Sequence, residues 1–232
     1  MRQRADYLAA LGLVDWRSRS APPAARAAER ARPEPPPQQA AAARAADTWE
    51  AVAAEVAACT RCELHRCRTN TVFGVGDRAA TWLVVGEAPG AEEDRQGEPF
   101  VGRAGQLLNS MLLGIGLRRE QVFIANVLKC RPPNNRDPQP AEVAQCLPFL
   151  ERQIALLRPK IMLAVGRIAA QNLLATDTPL GKLRGRVHAF GAQRIALVVT
   201  YHPAYLLRSP TEKRKAWEDL KFARRVAAGG SA

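Results

Sequence analysis

No apolar run in this 232-residue chain approaches the ~18 residues a membrane-spanning helix needs, so no segment is expected to cross a bilayer. The N-terminus lacks the apolar stretch of roughly 7–15 residues that marks a secretory signal. Cysteine is scarce as well: five, unevenly spaced, do not suggest a secreted disulfide scaffold. A reducing cytoplasm is therefore the expected location. The Arg- and Ala-rich start imitates a mitochondrial transit peptide, but Asp6, Asp15 and Glu29 weaken that likeness. Acid is also in deficit, with 22 Asp and Glu against 34 Lys and Arg, a formal charge of +12. This favours a polyanionic partner, most simply nucleic acid. The residues before Asp47 hold eight arginines and four acids, which leaves +8 on the remaining 186 residues. The basic character thus belongs to the folded part and not only to the tail.

The chain length suits one domain plus an appendage, and 47% hydrophobic residues are enough for a core. Residues 1–46 are expected to form a disordered extension. A short helix within 1–20 would place Tyr7, Leu8, Leu11 and Val14 on one face, and an Ala/Pro/Arg/Gln linker containing Pro35-Pro36-Pro37 follows. A domain over 47–228 begins with an N-cap at Asp47-Thr48 and a helix from Trp49 that ends near Cys59. A loop or short strand is expected around 71–74. Strands are then predicted at 81–86, 121–127, 160–165 and 194–200, with a short one at 187–190 pairing with the last. Helices are predicted at 104–115, 140–157, 167–175 and 210–228. Such alternation implies a mainly parallel sheet covered on both faces, with ligands bound beyond the carboxyl ends of its strands. Glu87, Asn126 and Tyr201-His202-Pro203 all fall at those ends.

The first of these ends carries Gly86-Glu87-Ala88-Pro89-Gly90-Ala91-Glu92-Glu93-Asp94, which continues through Pro99-Phe100-Val101-Gly102-Arg103-Ala104-Gly105. It is read as a loop between the first strand and a helix, with glycines and prolines that let the backbone turn sharply and approach a ligand. Five acids stand there against a single Arg95 before the glycine-rich end, so a phosphate cradle is disfavoured. A neutral, hydrogen-bonding ligand suits the loop better.

Cys59-x2-Cys62 is joined by Cys130 and Cys146, which lie 16 positions apart. Four thiolates suit zinc or a cubane iron–sulfur cluster, and spacing does not choose between them. Cys67 is expected to be a free thiol.

Together Cys59-x2-Cys62, Phe73-Gly74, Gly86 to Gly90, Pro99 to Gly105, Asn126-Val127-Leu128-Lys129-Cys130-Arg131-Pro132-Pro133-Asn134-Asn135-Arg136, Cys146 and His202-Pro203 resemble the family 4 uracil-DNA glycosylases. The resemblance covers about residues 50–226. It implies a three-layer α/β/α fold with a four-stranded, mainly parallel sheet, and a 4Fe-4S cluster on Cys59, Cys62, Cys130 and Cys146. It also implies excision of uracil from single- or double-stranded DNA by hydrolysis of the N-glycosidic bond, leaving an abasic site. The motif positions imply that Phe100 stacks on the flipped base and Asn126 bonds its O4 and N3 edge. They further imply that His202 donates to O2, that Gly86 and Ala88 border the base, and that Glu87 contacts water or uracil. Glu93 would fill the space of a thymine methyl. In family 1 enzymes an aspartate that orients water stands at the position of Ala88, so the water-positioning group is the open point. The basic loop that family X enzymes insert has no counterpart between Gly105 and Cys130.

Lys182, Arg184, Arg186 and Arg208 are the candidate DNA contacts, and a monomer is expected. Two alternatives belong to other classes: a non-catalytic iron–sulfur DNA-binding module, and a glycosylase acting mainly on another deaminated base.

Overall fold

The computed structural model describes residues 47–230; the expected helix and linker of residues 1–46 lie outside them. Helix α1 (Trp49–Ala57) opens the described chain, capped by Thr48, whose hydroxyl accepts the Ala51 amide at 3.1 Å. A two-residue strand β1 (Val75–Gly76) is followed by β2 (Trp82–Gly86), α2 (Ala91–Gln96), α3 (Arg103–Gly114), β3 (Phe123–Asn126), α4 (Pro140–Leu157), β4 (Ile161–Val165) and α5 (Arg167–Leu174). A single turn α6 (Leu180–Leu183), β5 (His188–Phe190), β6 (Ile195–Thr200), α7 (Pro203–Arg208) and α8 (Lys213–Ala227) complete it.

The sheet has six strands in the order β1-β3-β2-β4-β6-β5. The four expected strands form its parallel centre, and β1 and β5 add an antiparallel edge at each side. The expected count of four is thus low by the two short edges, one of which, β5, was anticipated as a pairing strand.

Every residue of β2, β3 and β4 is buried, because helices cover both faces, and their sequences are accordingly unbroken apolar runs and not alternations. The pleat still divides them. Leu83, Val85, Phe123, Ala125, Met162, Ala164, Leu197 and Val199 pack with α1, α4 and α5 on one side. Trp82, Val84, Ile124, Ile161, Leu163, Val165 and Val198 pack with Leu108 and Leu112 of α3 and Leu220 and Ala223 of α8 on the other. The result is three layers.

The connection after β2 leads outward to β3, whereas that after β4 leads the opposite way to β6. A crevice opens where the two directions diverge, at the carboxyl ends of the central strands. Glu87, the end of β3 and the His202 segment after β6 meet there.

Candidate functional site

The segment from Gly86 to Gly105 is not one continuous loop. Ala91–Gln96 makes α2, an acid-rich helix whose one buried side chain is Asp94. The Asp94 carboxylate accepts the amide of Thr69 at 2.9 Å and that of Asn70 at 3.4 Å, while Asn70 Nδ2 donates back to the carbonyls of Asp94 and Arg95. The helix is therefore docked by backbone donors from the segment following the first cysteines.

Phe100 sits in the left-handed region at φ 55°, an uncommon place for a bulky residue. Two side chains hold it there. Arg119 Nη2 donates to the Pro99 carbonyl at 2.6 Å and Nη1 to the Phe100 carbonyl at 3.2 Å. Glu93 Oε1 accepts the amides of Val101 at 3.0 Å and Gly102 at 3.1 Å. Glu93 thus borders the cavity while its carboxylate fixes the backbone that presents Phe100. The Phe100 and His202 rings are neighbours, their centroids 5.7 Å apart.

Asn126 ends β3 with 1% of its surface exposed, and neither Nδ2 nor Oδ1 of its side chain has a hydrogen-bond partner. A buried amide with all its donors and acceptors unused is costly and calls for an explanation. It lines a cavity of about 420 Å3 together with Glu87, Ala88, Glu93, Phe100, His202 and Arg208. Gly86 makes the packing possible: a Cβ there would stand 2.6 Å from the Phe100 ring and collide with Asn126 Oδ1.

His202 caps α7, its Nδ1 accepting the Ala204 amide at 3.1 Å. The acceptor role leaves the ring proton on Nε2. Burial, then the positive charge of Arg208, pulls its pKa down to about 4, with Glu93 opposing, so the ring is neutral near neutral pH. At Gly166, φ 100° and a would-be Cβ only 2.9 Å from His202 Cβ explain the glycine after β4. The Glu87 carboxyl is pushed up to about 7, chiefly by burial and next by Asp137, against the pull of Arg167. A neutral ring with a free N–H, an unsatisfied amide, an aromatic face and a carboxyl that titrates near neutrality converge on one space. That set can grip a planar base by its edge and face and handle a water beside it.

Cys59, Cys62, Cys130 and Cys146 line a second, mainly apolar cavity with Val56, Leu64 and Phe149. Two sulfurs already receive donors: Arg68 Nη1 to Cys130 Sγ at 3.1 Å and the Lys129 amide to Cys146 Sγ at 3.2 Å. Burial raises the thiol pKa values of Cys62 and Cys130, and that of Cys146 to about 11. Among the described residues no group of three or more His, Cys, Asp or Glu is arranged to hold a single metal ion. Four thiols ringing one cavity, with N–H donors at two of the sulfurs, are the donor set a larger cluster uses. Cys67 is exposed and lies outside that cavity's lining.

Of the basic residues, Arg208 stands at the first cavity, whereas Lys182 and Arg186 are exposed away from its lining. Arg184 differs from these three. Its guanidinium is engaged with buried Asp219 at 2.7 Å and lies over the Tyr201 ring, so a phosphate would have to displace an existing carboxylate. Sequence reasoning missed Arg119, Gly166 and Asp137, whose roles arise from contacts across the fold; the glycine directly after an apolar run was the one local signal.

Residues 73–221 match the uracil DNA glycosylase superfamily. Among curated proteins, the type-4 uracil-DNA glycosylase of Archaeoglobus fulgidus is 46% identical over 176 residues, covering 73% of this chain and 88% of that protein. The type-4 enzyme of Sulfurisphaera tokodaii is 43% identical over 78% of this chain and 86% of its own length. That of Thermotoga maritima is 43% identical over 75% and 92%.

Proposed function

The chain belongs to the type-4 uracil-DNA glycosylases of the uracil DNA glycosylase superfamily, and from that premise we propose how it excises uracil from DNA. It is a DNA-repair hydrolase that breaks the N-glycosidic bond and leaves an abasic site, the entry to base excision repair. The unpartnered Asn126 amide is the observation that carries the assignment of roles. Uracil presents an N3–H donor beside an O4 acceptor, so Oδ1 accepts from the one and Nδ2 donates to the other. Cytosine presents the reverse pattern and mismatches the amide in that orientation.

The base must first leave the stack. Phe100, held in its strained backbone conformation, offers a face for it, and Gly86 and Ala88 keep the approach narrow. As the bond to the sugar lengthens, the sugar gains positive character and uracil departs as an anion. His202, neutral and protonated on Nε2, donates to O2 where that charge collects. Glu87 orients water for attack on the sugar as its carboxylate form.

The cysteine cavity fits a 4Fe-4S cluster on Cys59, Cys62, Cys130 and Cys146, which when bound supplies a cross-link between the chain on either side of the sheet's first half. Residues 47–228 form the catalytic unit, acting on DNA as a monomer in a reducing cytoplasm. Arg208, Lys182 and Arg186 meet phosphates. No helix among the described residues is long and apolar enough to cross a membrane.

The test is uracil release from a single-stranded and a double-stranded oligonucleotide by purified protein, with hypoxanthine and xanthine substrates alongside and the visible spectrum recorded. Release of uracil by a brown protein is expected. A protein that binds the DNA without releasing any base would overturn the reading.

A further inference from the structure

Between the two cavities lies Lys129, with 1% of its surface exposed. Its Nζ donates to the Asn126 carbonyl at 2.9 Å and to Gln153 Oε1 at 2.6 Å. Gln153 is fixed in that orientation because its Nε2 donates to the Phe73 carbonyl at 2.9 Å. Both partners of the ammonium are neutral. Among the described residues no Asp or Glu forms an ion pair with it, whereas the buried carboxylates Asp219 and Glu142 are paired with Arg184 and Arg136.

A buried ammonium held only by neutral acceptors is unstable unless an anion lies close by. The groups beside Lys129 that carry negative charge on ligation are thiols. Its own amide donates to Cys146 Sγ at 3.2 Å, and Cys130 is the next residue in the chain. On the other side, the Asn126 side chain makes no hydrogen bond of its own, so its aim depends on where the backbone at the end of β3 is held. The Lys129 bond is to the carbonyl of that same residue.

We propose that Lys129 is a positioning residue that joins the cysteine cavity to the base-reading amide: its ammonium is the counter-charge to the thiolate-held cluster, and its bond to the Asn126 carbonyl sets that residue for uracil. The inference rests on the cluster and uracil readings above. Lys129 touches neither the base nor the sugar. It acts through Asn126, and its presence ties the geometry of one cavity to the charge in the other.

Lys129→Met keeps the length and apolar stem while removing the charge and both donors. In the full chain, loaded with iron, it is expected to keep its iron content and its affinity for uracil DNA. Its single-turnover excision rate should fall about tenfold, the lower end for loss of a supporting partner. Its cluster should also become harder to reduce, with a more negative potential, because a buried positive charge has gone. A rate and a potential both equal to wild type overturn the proposal. Gln153→Glu supplies a carboxylate to the ammonium and covers the case in which the methionine variant does not fold. Iron removal should then lower its Tm by less than it lowers the Tm of wild type; an equal or larger drop overturns the counter-charge. Wild-type protein that holds no iron overturns this inference and the cluster reading together, whereas iron-loaded wild type with unaltered variants overturns this inference alone.

Discussion

The two cavities are built from the same chain on opposite principles. Around the cysteines, polar groups are spoken for: Arg68 bonds a sulfur and the Ala57 carbonyl, and the Lys129 amide bonds another sulfur. At the strand ends, the buried side chain of Asn126 bonds nothing, and Glu87 is desolvated enough to titrate near neutrality. A satisfied cavity stabilises whatever holds it together. An unsatisfied one stores its hydrogen-bonding capacity for a ligand. Substitutions on the two sides should therefore fail differently, one by loss of the bound group and the other by loss of rate.

The largest contrast comes from the cysteines. Alanine at Cys59, Cys62, Cys130 or Cys146 should abolish the visible absorption of the purified protein, because each is a corner of the set lining the cavity. Alanine at exposed Cys67 should leave the absorption intact. Colour that vanishes with Cys67, or a colourless protein with full activity, would show that the ligand set is mistaken.

On the other side, Asn126→Ala and His202→Ala should keep their colour and their affinity for uracil DNA while excision slows about a hundredfold. Loss of one preorganised donor to developing charge costs about 3 kcal/mol. Single-turnover rates and binding isotherms measured on the same preparations separate the two quantities. Near-normal rates in both variants would remove the proposed roles.

How far this contrast could be read beforehand depends on the range of the interactions. The parallel strands were legible because burial on both faces leaves unbroken apolar runs, and the helix expected at 140–157 has those bounds as α4, where the Glu142 carboxylate accepts the Gln139 amide at its start. The strand-end positions of Asn126 and His202 and the grouping of four cysteines followed from pattern and residue type, whereas the specific roles given to them rested on the resemblance. Helix α2 escaped because its sequence has no apolar stripe to detect; its one buried side chain, Asp94, is held by amides 24 and 25 residues earlier. The clamp of Arg119 on the Pro99 and Phe100 carbonyls escaped for the same reason, being a contact across about 20 residues with no local pattern. Edge strand β1 is two residues long, too short for any periodicity.

The pH dependence sharpens the rate side further. Glu87 has its carboxyl raised from 4.5 to about 7, so lowering the pH through 7 protonates it and removes the form that orients water. Excision should fall about tenfold per unit below that point and level off above it. His202, depressed to about 4, stays neutral across this range and adds no second limb. Glu87→Gln should be slower at pH 8 and flat with pH; a variant that keeps the wild-type slope would assign the titration to another group.

The smallest expected effect concerns DNA outside the base cavity, and it compares two arginines that the sequence alone treated alike. Arg208 is exposed at the mouth of the cavity that receives the base, whereas the Arg184 guanidinium is already engaged with Asp219. A side chain that neutralises a phosphate releases a counterion, and each such contact contributes about 0.9 to the slope of log affinity against log salt. Arg208→Ala should therefore flatten that slope by about one, with little effect on the single-turnover rate at saturating protein. Arg184→Ala should leave the slope unchanged and appear as lower thermal stability, because buried Asp219 would keep only the Thr200 hydroxyl, which donates to it at 2.8 Å, and lose its counter-charge. Titrations of both variants between low and moderate salt decide the matter: an unchanged slope for Arg208→Ala removes it from the phosphate contacts, and a flattened slope for Arg184→Ala would mean that DNA draws this guanidinium away from its carboxylate.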